Sequence, residues 1–199
     1  YAICVALMQN YEPTEAVLGL PKSPLDTLGT ILYTRPDGLT AMDLYGDNAR
    51  KVGASTREKP SDMRAVDSIK IPQADLDLNI ELRQIAGLST RPPQLYDSQI
   101  KYGLIAAGYA DVFVRLPRDI NDEPHYIWDH APGAALLRAG GATYTDLNGD
   151  PIDFSQGRAL PHTGFIASNG AHHDALVAAA RERLGDMVRA QRGSNASTS

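Results

Sequence analysis

Apolar residues in the first part of the chain fall into short runs that turn-forming residues separate. The first run, residues 1–8, is rich in residues that favour strands, and it ends at the Asn-Tyr-Glu-Pro sequence of residues 10–13. Three similar runs follow, at residues 16–20, 30–34 and 39–44. Short strands joined by tight turns predict an antiparallel meander. Because the chain opens on an apolar run without an initiator methionine, we expect it to begin inside a strand.

The pattern changes after the meander. Between about residues 46 and 77, polar and charged residues dominate and no periodicity is visible. Residues 76–86 then carry apolar residues at helical spacing, and signals for helices and strands alternate from there on. The predicted helices cover residues 98–107, 132–138 and 172–190, and the predicted strands cover residues 111–116, 142–146, 151–154 and 164–168.

This order of elements predicts a layered α/β protein. We divide the chain into a strand meander at residues 1–48, a surface connection at 49–64 and an α/β domain at 65–190. The small polar residues of 191–199 predict a disordered tail.

Composition narrows the classes of partner. Nineteen Lys and Arg residues against 24 Asp and Glu residues give a net charge of −5, which argues against polymeric nucleic acid as a partner because phosphate-backbone binding needs a basic field. A small anionic ligand held by a few cations is still possible.

The single cysteine, Cys4, excludes an internal disulfide and fits a reducing compartment, so we expect a cytoplasmic protein. No apolar run approaches the roughly 18 residues of a membrane helix, and we expect no membrane partner. The oligomeric state stays open.

The first segment with candidate chemistry is Trp-Asp-His-Ala-Pro-Gly at residues 128–133. Asp129 precedes a predicted helix whose first turn contains Pro132, a favoured early position. A carboxylate there can cap the N–H groups of the helix, which is the more common role. The carboxylate can also bind a cation at the same opening. The N-terminus of the helix attracts anionic groups, and such groups can bring a cation with them.

The second segment is Asp-Ser-Gln-Ile-Lys-Tyr at residues 97–102. Ser98 and Lys101 lie three residues apart, so a helix would place them on one face, and Ser98 suits the N-cap position. A hydroxyl, a lysine and a helix start together favour a phosphate. Arg115 ends an apolar strand, and its guanidinium can bind phosphate in bidentate fashion. A capped surface helix and a solvated strand end are the alternative interpretation.

Together these segments resemble the inositol monophosphatase superfamily of metal-dependent, lithium-sensitive phosphomonoesterases. In that family a Trp-Asp-x-Ala-x-Gly segment leads to Gly-Gly and Thr-Asp, as residues 128–146 do here. The Asp-Ser-Gln-x-Lys-Tyr segment, the Arg-Leu-Pro that follows and residues 152–160 resemble its 3′(2′),5′-bisphosphate nucleotidase branch. The resemblance covers about residues 1–35 and 95–188 and is absent over about 45–75.

The resemblance implies a layered αβαβα fold in which residues 1–48 are the trailing strands of an N-terminal domain. It implies Mg²⁺ as cofactor, with Asp129 as a ligand of the second magnesium ion that also lies within reach of the leaving oxygen. Ser98, Lys101 and Arg115 would bind the nucleotide and its phosphates. The implied substrate is 3′-phosphoadenosine 5′-phosphate.

Two departures from the family pattern leave alternatives open. The Asp-Pro-x-Asp-Gly-Thr motif that carries most metal ligands is expected before residue 1, and residues 23–30 only imitate it. Residues 52–97 contain no histidine, where the branch carries a Gly-His pair. An inositol- or histidinol-type monophosphatase therefore stays possible, as does an inactive remnant that binds a nucleotide or a partner. We expect the chain by itself to be inactive.

Overall fold

A computed structural model of the chain describes residues 1–88, 91–117, 125–162 and 164–196. The strands are β1 (Ile3–Gln9), β2 (Glu12–Leu20), β3 (Thr30–Arg35), β4 (Gly38–Met42), β5 (Arg50–Val52), β6 (Val66–Ser68), β7 (Gln94–Tyr96), β8 (Val112–Arg115), β9 (Thr143–Asp146) and β10 (Phe165–Ser168). The helices are α1 (Gln73–Ile85), α2 (Ile100–Ala106), α3 (Ala131–Ala139) and α4 (His173–Ala196), with short 3-10 turns at Pro60–Asp62 and Ile127–Asp129.

The first five strands form one antiparallel sheet in sequential order, which confirms the predicted meander. Its last strand, β5, was missed, because it lies in the polar stretch interpreted as a connection. β5 has only three residues, two of them charged, and it pairs with β4. A strand of that length carries too little alternation to stand out in the sequence.

Alternate residues of this sheet form the first half of the core. Leu18, Leu20 and Leu32 are fully buried, and they pack with residues of α2 and α3. The opposite face carries exposed apolar side chains, Val5 and Val17 among them. The period-2 pattern of the strands therefore gives one face buried against helices and one face with no cover among the described residues.

A second, three-stranded sheet has the order β8-β10-β9 and is antiparallel throughout. Phe113 and Phe165 on one face share the core of α2 and α3, whereas Val114 and Ile166 on the other face pack with residues of α1 and α4. The described residues thus form four layers. These are the five-stranded sheet, the pair α2 and α3, the three-stranded sheet, and the pair α1 and α4. This arrangement confirms the layered α/β class. None of the described helices has the length and apolar character needed to cross a bilayer.

The segment predicted to be a surface connection is held firmly against the second sheet. Asp111, at the start of β8, is fully buried and accepts hydrogen bonds from the Ser55 hydroxyl, the Arg57 Nε (2.9 Å) and the Arg64 backbone N–H (2.7 Å). A buried carboxylate requires such partners, because leaving its charge unpaired is costly. Residues 55–64 are therefore anchored rather than loose, and the domain division at residues 48 and 65 stays a prediction.

Two further predictions were wrong. Residues 151–154 form no strand, since only Pro151 makes a single bridge, to Thr145. Proline lacks the N–H that a continued ladder needs. In addition, α4 runs to Ala196, so residues 191–196 of the predicted disordered tail are helical. Residues 197–199 of that tail lie outside the described residues.

Candidate active site

All four residues singled out in the sequence line one cavity of about 570 Å³. Ser98 lies just before α2 and Lys101 lies in its first turn, Arg115 comes from the end of β8, and Asp129 comes from the 3-10 turn before α3. The core that joins α2, α3 and the second sheet brings these three parts of the sequence to the same opening. The structure therefore places together a hydroxyl, two cations and a carboxylate.

Lys101 lies in the wall of this cavity and is only 6% exposed. Its ammonium donates hydrogen bonds to the backbone carbonyls of Ser98 (2.8 Å) and Tyr96 (3.3 Å), and it lies 5.2 Å from the centre of the Phe113 ring. An ammonium has three donors. Within the described residues, two of them are used by carbonyls, and the third can serve a ligand.

The surroundings of Lys101 lower its affinity for a proton. Burial lowers the pKa of Lys101 to about 8, because the charged form loses solvation, and the nearby guanidinium of Arg115 acts in the same direction. The carboxylates of Asp67 and Asp97 raise the pKa and limit the shift. Lys101 is therefore mostly charged at neutral pH and loses its charge in mildly alkaline solution.

Ser98 reaches the cavity in a different way from the one predicted. Helix α2 begins at Ile100, its N-cap is Gln99, and no side chain caps it. Ser98 instead has a left-handed backbone (φ 54°) stabilised by its N–H donating to Asp97 Oδ1 at 2.8 Å. The prediction of an N-cap serine sharing a helix face with Lys101 was therefore wrong. A non-glycine residue in this conformation costs about 1–2 kcal/mol, and such strain is concentrated at functional sites.

Arg115 ends β8, as the sequence predicted, and β8 is an edge strand of the three-stranded sheet. Its backbone is paired with Phe165, and its Nε donates to His125 Nε2 at 3.2 Å. The side chain is half-buried at the cavity wall. Arg115 and Lys101 together make this wall positive.

Asp129 is exposed in the 3-10 turn at the rim of the cavity. Helix α3 has His130 as its N-cap and no side-chain cap, so the interpretation of Asp129 as a helix cap was wrong. Among the described residues, the carboxylate has no hydrogen-bond or ion-pair partner. Partial burial raises its pKa above the usual range. A carboxylate that is partly desolvated and has no partner is stabilised when a cation binds next to it.

Two buried polar residues of the site were not assigned a role from the sequence. Gln99 donates to the Trp128 carbonyl (2.9 Å) and Cys4 Sγ (3.2 Å) and accepts from the Gly133 N–H (2.8 Å). It thereby joins β1, the 3-10 turn and α3 behind the cavity. The Asp-Ser-Gln motif contained Gln99, but its partners lie 29 to 95 residues away and could not be foreseen.

His130 is the second of these residues. It is buried, and its Nδ1 lies 2.8 Å from the hydroxyls of both Tyr102 and Tyr144. Burial lowers the pKa of His130 well below its usual value, and nearby His125 and the site cations add to the shift. His130 is therefore neutral and fixes the start of α3 next to Asp129.

The described residues do not complete a metal site by themselves. Magnesium is usually held by carboxylates, waters and substrate oxygens, and Asp129 is the one carboxylate that the described residues place on this cavity. No group of three or more His, Cys, Asp or Glu residues that could hold a metal occurs in the described parts of the chain. Asp26, in the segment that imitates the family motif, accepts from the Leu28 N–H at 2.9 Å and closes a local turn. Asp129 can thus supply one ligand.

Comparison with known proteins agrees with this architecture. The chain is 29% identical over 206 residues to a 3′(2′),5′-bisphosphate nucleotidase of Emericella nidulans, covering 92% of this chain and 58% of that protein. It is 31% identical over 179 residues to one of Schizosaccharomyces pombe, covering 84% and 50%. The chain thus spans about half the length of the curated relatives that it matches.

The same fold occurs in solved structures. An IMPase from Thermotoga maritima superposes with a TM-score of 0.68 at 20% identity, covering 94% of this chain and 63% of that one. An inositol monophosphatase from Anabaena gives 0.65 at 18% identity, covering 91% and 64%. A sequence model of the inositol monophosphatase family matches residues 1–185. The chain therefore belongs to the inositol monophosphatase family.

Proposed function

We propose that this chain carries the substrate-binding part of a metal-dependent phosphomonoesterase that converts 3′-phosphoadenosine 5′-phosphate to AMP and phosphate. The observation that carries the proposal is the meeting of Ser98, Lys101, Arg115 and Asp129 in one cavity. Relatives named 3′(2′),5′-bisphosphate nucleotidase support the choice of substrate.

The positive wall of the cavity suits the phosphates of the substrate. The guanidinium of Arg115 has a planar fork that matches two phosphate oxygens, and the Lys101 ammonium acts as a point charge with a donor to spare. The partly apolar surroundings strengthen both interactions relative to water. In this proposal, Ser98 adds a hydroxyl at the same opening.

Asp129 supplies one carboxylate ligand to Mg²⁺ in this proposal, and the remaining ligands come from the part of the relatives' length that this chain does not span. A bound divalent cation would neutralise charge and lower the pKa of water. In the reaction, a water oxygen forms a bond to the 3′ phosphorus, the P–O3′ bond breaks, and the 3′ oxygen takes up a proton.

A second candidate function is nucleotide binding without hydrolysis by the chain on its own. The observation that favours it is that the described residues place one carboxylate, Asp129, on the cavity, and one carboxylate cannot position both a metal and a nucleophilic water. The cations of the wall need no metal to attract a phosphorylated ligand. The two candidate functions involve the same ligand and differ in whether the ligand is hydrolysed.

The test uses the extended protein, meaning this chain together with the sequence encoded upstream of Tyr1. Phosphate release is measured from 3′-phosphoadenosine 5′-phosphate, inositol 1-phosphate and histidinol phosphate, each with and without Mg²⁺. We expect Mg²⁺-dependent release with a clear preference for the adenosine bisphosphate. A preference for either monophosphate would show that the substrate assignment is wrong, and turnover without a metal would contradict the mechanism.

A further inference from the structure

A pair of stacked aromatic rings stands at the rim of the cavity. Tyr126 and Trp128 have ring centres 4.8 Å apart and planes 10° from parallel. The guanidinium of Arg158 lies 5.5 Å from the Tyr126 ring and 5.3 Å from the Trp128 ring. We call these three side chains the aromatic shelf. Trp128 lines the same cavity as Lys101 and Asp129.

The two rings of the aromatic shelf are exposed although they are largely apolar. Trp128 is 48% and Tyr126 38% exposed to solvent. Leaving so much of an indole ring in water forgoes the stabilisation that burial of an aromatic side chain provides. An exposed aromatic pair beside a polar cavity is typical of a surface that a ligand covers.

The backbone around the aromatic shelf holds it in place. The Ile127 N–H donates to the Arg158 carbonyl at 3.0 Å, and Tyr126 forms a bridge with Ala159. The Trp128 carbonyl accepts the hydrogen bond from Gln99 Nε2. The backbone that carries the two rings is therefore fixed before a ligand arrives, which reduces the entropy that binding must overcome.

We propose that the aromatic shelf is the stacking surface for the nucleobase of the substrate, with Trp128 as the residue that the base contacts. The inference rests on the proposed nucleotide substrate and adds a specificity-determining residue to it. The phosphates at Lys101 and Arg115 fix one end of the ligand. Flat bases stack on aromatic rings whatever their hydrogen-bonding groups, and the Arg158 cation strengthens the contact.

The kinetic test compares Trp128→Ala with Trp128→Phe in the extended protein. We expect Trp128→Ala to raise KM for 3′-phosphoadenosine 5′-phosphate about tenfold with little change in kcat, because stacking acts on the ground state and the transition state alike. Trp128→Phe keeps a ring and should stay within about threefold of wild type. Inhibition by inorganic phosphate, which has no base, should be unchanged in both variants. Tyr45→Ala removes another exposed ring outside this cavity and is the matched control.

A binding test is independent of turnover. The difference in fluorescence between wild type and Trp128→Phe isolates the emission of Trp128, and we expect 3′-phosphoadenosine 5′-phosphate to quench it while ribose 5-phosphate does not. Hydrolysis of the bisphosphate with an unchanged KM in Trp128→Ala, or with no quenching, would overturn the stacking inference and leave the proposed function standing. Quenching without hydrolysis would overturn the proposed function and leave the stacking inference standing. Absence of both would overturn both.

Discussion

The surroundings of Lys101 lower the pKa of its ammonium group, and this pKa sets the pH range in which the cavity can bind an anion. Its pKa of about 8 means that the ammonium is present at neutral pH and disappears above that value. We expect the affinity for inorganic phosphate to fall about tenfold as the pH rises from about 7 to about 9, since a hydrogen bond to a charged group is lost. Calorimetric titration across this range measures the change.

Two variants separate Lys101 from general charge effects. Lys101→Met should bind phosphate weakly throughout and show no further loss around pH 8. Lys51→Met removes an exposed lysine that pairs with Asp37, and it should keep the wild-type profile. A wild-type affinity that is constant from neutral to alkaline pH would contradict the role of Lys101.

Asp129 can be tested without disturbing the fold. Because its carboxylate is exposed and caps no helix, Asp129→Asn should change the free energy of unfolding by less than about 0.5 kcal/mol. The variant loses the charge that a metal ligand needs, so we expect kcat of the extended protein to fall by on the order of 100-fold. Urea unfolding and phosphate release measure the two effects.

Asp26→Asn is the matched control, because Asp26 is the carboxylate of the imitation motif and its Oδ1 closes a local turn. This variant should keep its activity. If Asp26→Asn abolished turnover and Asp129→Asn did not, the metal ligand would have been assigned to the wrong segment.

The residues of the site were easier to predict than their contacts. Short motifs identified Ser98, Lys101, Arg115 and Asp129, and these four meet in one cavity. The local geometry of Ser98 and Lys101 was predicted incorrectly, since Ser98 lies before the helix and accepts a hydrogen bond from Lys101 at its carbonyl. Sequence spacing describes neighbours within one element, whereas these contacts depend on where a helix actually begins.

Elements with a strong periodicity in the sequence were predicted. Elements that depend on contacts with distant parts of the chain were not. The alternation of β1 to β4 is visible in the sequence, as is the helical spacing of α1. β5 exists because β4 offers it a partner, and the stretch around residues 55–64 is fixed by Asp111 from a distant strand. Both depend on tertiary contacts that no local window contains.

Helix α3 packs so closely on α2 that its glycine is required. A Cβ added at Gly133 would overlap the ring of Tyr102. We expect Gly133→Ala to lower the free energy of unfolding by about 1–3 kcal/mol, because overpacking forces side chains or backbone to move. The gain in helix propensity from alanine, up to about 1 kcal/mol, is smaller.

Gly185 in α4, unlike Gly133, has room for a larger side chain. A Cβ there would come no closer than 3.4 Å to Arg189, and the backbone is helical. Gly185→Ala should therefore raise the free energy of unfolding by about 0.5–1 kcal/mol. Chemical denaturation of both variants tests the pair, and a stabilised Gly133→Ala would contradict the close packing of α2 and α3.

At the scale of the whole molecule, the layers end in a sheet with one apolar face exposed. Ile3 and Val5 on the edge strand β1 are 64% and 65% exposed, and Leu7 and Val17 are also largely exposed. Val5, Leu7 and Val17 border a groove of about 520 Å³ together with Ile31, Tyr33 and Met42. Monomeric proteins rarely leave such a patch in water, and an uncovered edge strand can pair with another chain.

We therefore expect the 199-residue chain, studied alone, to self-associate. On gel filtration at micromolar concentration it should elute well above the size of a 21.5 kDa monomer. Val5 and Val17 face each other across β1 and β2, so the double variant Val5→Lys, Val17→Glu places opposite charges opposite each other and removes the apolar contact. This variant should shift to the monomer size, whereas Gln9→Lys, which adds a charge at the end of β1 beyond the groove, should not. Circular dichroism confirms that each variant is folded. A wild-type chain that stays monomeric at every concentration would show that the exposed face does not drive association.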